Sequence, residues 1–209
     1  FISCSTFDEL RLTVLRRLNY SHELCYIFKS LLNDRNPKLA LETIRVLCEH
    51  MEEETIRDFL NDSIQRFPIY DSTRYRHLIK MYLLIAHKFL YLFEPICSVV
   101  FDNFFKIEFH FPSSLELLSL LIRLNSTYCD ERIIRILEDH LKLHSTIMIL
   151  RSSLDLLLSV IHHTSIPLSK QLLNQLFDVS RYAEDKELQL RLYIVFSFLS
   201  DIIADRVEH

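Results

Sequence analysis

Not one of the 209 residues is glycine. Glycine supplies positive φ and close backbone approach in tight turns, P-loops and dinucleotide loops, so phosphate-cradling chemistry of those kinds is excluded. It is also the usual residue just past a helix C-terminus. Helices in this chain must therefore end on Asn, on polar side chains, or by running into the next cap. Asn19, Asn33 and Asn125 sit where such ends are expected.

Hydrophobic residues make up 49% of the chain and charged residues 25%, far from the profile of a disordered segment. At this length roughly 70% of the unfolded surface can be buried, so a sizeable core is expected. The five cysteines, Cys4, Cys25, Cys48, Cys97 and Cys129, are odd in number, widely separated and never in a C-x-x-C pair. They read as reduced core residues of an intracellular protein of cytoplasm or nucleus. No signal-peptide pattern opens the chain and no apolar run is expected to reach the roughly 18 residues of a membrane span. Phe1 in place of a start methionine suggests an excised piece of a longer protein, and Val207-Glu208-His209 reads as a cloning scar running into a tag.

Apolar residues recur at helical spacing with little strand-like alternation, and the helices fall in pairs. Thr6-x-x-Glu9 matches a capping box ahead of Phe7, Leu10, Val14, Leu15 and Leu18, and a second helix follows from Ser21 to about Leu32. Asn36 before Pro37 opens a third, with Leu39, Ile44, Leu47 and Met51 on its apolar face and a partner from about Glu53 to Phe67. Further pairs are expected from Asp71 or Ser72 with a second helix opening at Pro95, from Ser114 with Asp130, and from Ser145 with Pro167, before a last long helix after Asp185. Pair starts near 7, 37, 73, 114, 146 and 186 are separated by 30, 36, 41, 32 and 40 residues. That loose period is the range of two-helix solenoid repeats. The expected fold is all-α, a right-handed α-solenoid of about five antiparallel helix pairs forming one domain over residues 1–206. Its end pairs should bury less than its middle ones.

The segment LLNDRNPKLALETIRVL, residues 31 to 47, resembles the first helix of a HEAT repeat: Asp34, Pro37, Leu39 and Leu47 match, while Ala40 and Thr43 replace the usual Arg and small residue. Proteins of the HEAT and armadillo class mostly act as scaffolds, transport receptors and assembly subunits, which is what the resemblance implies.

The stretch RYRHLIKMYLLIAHKFLYLF, residues 74 to 93, is apolar on almost every side. His87 and Lys88 interrupt it, which argues against a membrane span, and Pro95 ends it too soon for a long coiled coil. On a helical wheel Tyr75, Leu78, Tyr82, Ile85, Phe89 and Leu92 form a core seam, and Arg76, His77, Lys80, His87 and Lys88 gather opposite. Met81, Leu84 and Tyr91 fall inside that polar arc. Either neighbouring helices cover them, or they form an exposed patch ringed by cations that docks a partner with apolar anchors and acidic flanks. The expected partner-binding residues are Arg76, Lys80, Met81, Leu84, Lys88 and Tyr91. The segment KIEFHF, residues 106 to 111, reads as core or as an extended connection.

Little in the chain argues for catalysis. His140-x-x-x-His144 has a metal-like spacing but lacks the glutamate of zinc proteases, and its place near a helix end suits solvated histidines. The same holds for His162-His163. Cys48-Glu49-His50 are adjacent helical positions that do not face one another. With a net charge of −4 and only small basic clusters, a dominant nucleic-acid-binding role is not favoured. The expected function is a non-catalytic protein–protein interaction scaffold or adaptor subunit of a larger assembly, with no cofactor or metal. The alternatives are a nucleic-acid-binding helical repeat using basic residues on one face and, behind it, a metal-dependent enzyme.

Overall fold

The computed structural model describes residues 4–17, 25–32, 36–50, 52–66, 72–105, 111–163 and 167–207, and every regular element among them is helical. In chain order these are α1 (Cys4–Arg17), α2 (Cys25–Leu32), α3 (Pro37–Glu49), α4 (Glu53–Arg66), α5 (Ser72–Phe89), a 3-10 segment (Leu90–Ile96) and α6 (Cys97–Phe105). There follow α7 (Pro112–Leu124), α8 (Glu131–His140), α9 (Ile147–His163), α10 (Lys170–Tyr182) and α11 (Lys186–Val207).

The helices start as their sequences dictate. Asn36 accepts the Lys38 N–H at 3.0 Å with Pro37 at the first helical position, where its missing N–H costs nothing. Asp130 accepts from the Arg132 N–H at 2.8 Å, Ser169 from Leu172 at 3.0 Å and Asp185 from Leu188 at 2.8 Å. They also close without glycine: His50, Asn125, Leu141 and Ala183, at the ends of α3, α7, α8 and α10, have φ of −92°, −150°, −83° and −72°. None is left-handed. Asn125 ends α7 and runs into the next turn, its side chain accepting the Thr127 N–H at 3.0 Å. Asn19, Asn33 and Ser21 lie outside the described residues.

Beyond α7, which begins at Pro112 ahead of the expected Ser114, three starts differ from expectation. The first helix already begins at Cys4, so Thr6 sits within its first turn. Pro95 lies inside the 3-10 segment and α6 begins at Cys97. A proline bars its preceding residue from ideal α geometry, and the tighter winding carries the chain through. At the third, Ser169 rather than Pro167 sets the start of α10, because its hydroxyl satisfies an orphan N–H. Of KIEFHF only Phe111 is described; it is half-buried and extended, with φ −138° and ψ 166°.

The chain divides into two compact units, Phe1–Asn103 and Phe104–His209. At the centre of unit 1 is α3, which packs on α1, α2, α4 and α5, while α5 also packs on α4 and on the 3-10 segment. Leu39, Ile44 and Leu47 of α3 and Leu78, Tyr82 and Ile85 of α5 are buried, each contributing about 1.5–3 kcal/mol of transfer free energy before ordering costs. The buried Tyr82 hydroxyl lies 2.7 Å from Ser63 Oγ of α4, so neither is left unpaired. In unit 2, α9 packs on α7, α8 and α11, and α10 packs on α8 and α11. Leu115, Leu118, Leu121, Leu154 and Leu157 fill its interior.

Candidate functional site

All six residues of the seam expected on α5 and its continuation, from Tyr75 to Leu92, are buried. Within Tyr75–Phe105 an 18-residue window has a mean hydropathy of 1.6, long and apolar enough to cross a membrane, where the sequence reading expected no such run. Packing within unit 1 accounts for much of that apolarity. The α-helix stops at Phe89, the 3-10 segment follows, and the apolar face of α5 is covered where α3 and α4 pack on it.

Of the six expected binding residues, Arg76, Lys80 and Lys88 are exposed, Leu84 is half-buried, Tyr91 is 50% exposed and Met81 is only 7% exposed. Met81 thus belongs to the packing of unit 1 and not to its surface. With α3 and α4 both against α5, the buried arc is wider than one seam. Arg76, Lys80, Leu84 and Lys88 recur at every fourth position, which aligns them in one outward stripe. Three residues beyond Lys88, Tyr91 extends it from the 3-10 segment.

Tyr91 is held at both ends. Its hydroxyl donates to Glu53 Oε2 of α4 at 2.6 Å, and Arg57 Nη2 donates to the other oxygen at 2.7 Å. Its ring meets the buried Phe89 edge-on, centroids 6.2 Å apart at 82°. The bond from Tyr91, with Arg57 behind it, holds the Glu53 carboxyl below its ordinary range, and the same bond pushes the Tyr91 hydroxyl up. The result is an exposed aromatic with little freedom left to lose.

The residues weighed for chemistry do not converge. His140 closes α8, half-buried, and burial lowers its pKa; His144 lies in the following turn, exposed. Among the described residues no three His, Cys, Asp or Glu side chains are grouped to hold a metal ion. Cys48, Cys97 and Cys129 are buried and in no disulfide, and burial pushes Cys48 up to about 11 and Cys97 to about 12, the opposite of an activated nucleophile. His162 rests on Phe198 of α11 with ring centroids 4.5 Å apart.

Sequence reasoning missed a polar ladder across α7, α9 and α11. Arg151 Nη2 donates to both Asp185 oxygens at 2.8 and 2.9 Å, and its Nη1 lies 2.5 Å from Glu187 Oε2. Glu187 also receives Arg191 Nη2 at 2.9 Å, and Arg191 Nη1 reaches Asp155. Burial raises the Asp155 pKa although Arg191 opposes it, whereas the bond from Arg151 lowers that of Asp185. On α7, Ser119 Oγ lies 2.6 Å from Ser159 Oγ of α9, and Arg123 Nε donates to Ser159 at 3.4 Å. The partners on different elements lie 34 to 40 residues apart in sequence, and the loose period of the helix-pair starts was the one signal able to pair them. Also unforeseen are the large apolar side chains left exposed in unit 2, among them Leu143, Ile147, Met148, Phe177, Tyr182 and Tyr193.

Compared with family models, with curated proteins and with solved structures, the chain finds no match. What it does must be read from these surfaces themselves.

Proposed function

We propose that the chain is a non-catalytic protein-interaction scaffold of HEAT-like stacked helix pairs, and that α5 docks an acidic-flanked peptide or helix of a partner protein. Helices two apart in order pack together within each unit: α1 on α3, α3 on α5 and α2 on α4 in unit 1; α7 on α9, α9 on α11 and α8 on α10 in unit 2. Side-chain bonds between elements join residues one repeat apart, at separations of 38 for Tyr91 and Glu53, 34 for Arg151 and Asp185, 36 for Arg191 and Asp155, and 40 for Ser119 and Ser159. Nearest-neighbour coupling of this kind is how two-helix solenoids hold together. In the HEAT-like segment Leu39 and Leu47 are buried, and so are Ala40 and Thr43, the two positions that depart from the pattern.

The observation that carries the docking role is Tyr91, fixed at its hydroxyl and ring edge at the end of a stripe of three exposed cations. Rigid exposed aromatics supply contact area at low entropic cost, which is why they anchor interfaces, and the flanking cations favour a carboxylate-bearing partner. The test compares capture from nuclease-treated extract by wild type, by Lys80→Glu/Lys88→Glu and by Tyr91→Ala, with circular dichroism confirming that helicity is kept. Loss of the same partner from both variants is the expected result. Retention by both would overturn the α5 surface, and binding that disappears with nuclease treatment would shift the reading to nucleic acid.

A further inference from the structure

At one end of unit 2 the chain leaves a concavity of about 230 Å³ between the turn after α8, the start of α9 and the α10–α11 connection. Its floor is core: Leu150, Val179 and Leu188 are 6%, 2% and 3% exposed. Its rim is apolar too, yet open to solvent, with Leu143, Ile147 and Tyr182 at 53%, 49% and 63%. Three large apolar side chains standing over a depression that reaches the core is the anatomy of an anchor pocket. The volume is below the roughly 300–1,000 Å³ of pockets that enclose small molecules, and suits a single large side chain better.

Charge narrows the occupant further. The only ionisable carboxylates lining the pocket are Glu184 and Asp185, and no cation lines it. Asp185 is committed to Arg151 and to capping α11. Glu184 is exposed and has no ion-pair partner among the described residues. A carboxylate at the mouth of an apolar pocket favours a cation placed just beside the inserted group.

We infer that this pocket receives one large aromatic or aliphatic side chain of a partner peptide, with a Lys or Arg next to it engaging Glu184. The preference is opposite in sign to that argued for α5. It involves no residue of that surface, so either can fail without the other.

The full chain would be titrated with fluorescent twelve-residue peptides bearing one central Trp flanked by lysines, the same Trp flanked by glutamates, and Ala in place of Trp. Backbone amide shifts of the labelled chain would locate the contact. The lysine-flanked Trp peptide should bind, should shift resonances of Leu143, Ile147 and Tyr182, and should beat the Ala peptide by at least about tenfold, a difference of about 1.4 kcal/mol. Leu143→Asp and Ile147→Asp change exposed rim positions and should each weaken it to a similar degree, while Glu184→Lys should transfer the preference to the glutamate-flanked peptide. The inference is overturned if Trp and Ala peptides bind alike, if the shifts fall elsewhere, or if folded rim variants bind unchanged. It is overturned equally if sedimentation shows wild type to be a dimer that the rim substitutions dissolve, since a second copy would then fill the pocket.

Discussion

In unit 1, α3 and α5 bring together buried faces of Leu39, Ile44 and Leu47 with Leu78, Tyr82 and Ile85, and the polar links of this region run to α4, from Tyr82 to Ser63 and from Tyr91 to Glu53. In unit 2 the corresponding contact of α9 with α11 is laced by Arg151, Asp185, Glu187, Arg191 and Asp155. In both units helices two apart in order pack together, and the adhesive differs. Apolar burial is non-directional and indifferent to salt, whereas charged rungs are directional, screened and titratable. The rungs are also partly exposed, so each is worth little alone and the core leucines beneath them still carry the stability.

The largest effect should come from the apolar side. Phe93→Ala empties a fully buried site in unit 1 and should cost about 3–5 kcal/mol in urea unfolding, unchanged by salt. A salt-dependent cost would break the contrast between the units. Next, Arg191→Met in unit 2 leaves Asp155 without its guanidinium and should cost about 1–2 kcal/mol after allowance for exposure. Raising sodium chloride to about 1 M should shrink that difference, since screening weakens the Arg191 rungs that the variant lacks, while the Arg151 rungs are screened alike in both; an undiminished cost would mean the arginine acts only by packing.

The smallest effect sharpens the same contrast through pH. Because Arg151 lowers the pKa of Asp185 in the fold, its contribution is present above the ordinary aspartate value and is lost as pH falls through the lower, folded one. Asp185→Asn should therefore differ from wild type in urea midpoint at neutral pH and converge with it in acid. Asp155 runs the other way: burial raises its pKa, so its contribution is present in acid below the ordinary value and is lost as pH rises through the folded one. A gap between wild type and Asp185→Asn that persists into acid would show that Asp185 does not act through its charge, since Asn keeps an acceptor for the Leu188 N–H.

The helices were legible because each carries its own signal: Asn36-Pro37 and Asp130 mark starts by side-chain chemistry, and the α5 seam repeats at helical spacing. The 3-10 segment was not, since Leu92, Phe93 and Ile96 suit either winding over so short a run. The wheel set Met81 in the polar arc and left open whether neighbouring helices cover it; they do, leaving it 7% exposed, and a wheel that sees one helix could not decide this. The cations of α5 and Tyr91 were read as a group from the sequence, but the partner of Tyr91, Glu53, lies 38 residues away. The ladder of unit 2 and the pocket at its end were invisible for the same reason: each is made by residues from different helices whose side chains carry no pattern until the chain has folded.

The facing hydroxyls of Ser119 and Ser159 have a consequence for alignment. Leucine ridges tolerate several axial offsets between two helices with similar contact area. Both bonding partners of Ser119, the Ser159 hydroxyl and the Asp155 carbonyl, lie on α9. Sliding α7 by one turn, about 5.4 Å, would strand a buried hydroxyl at a cost of about 1–3 kcal/mol. The two oxygens work as a locating pin, so the spacing of these helices is set by an atom-sized mark rather than by the area of grease around it.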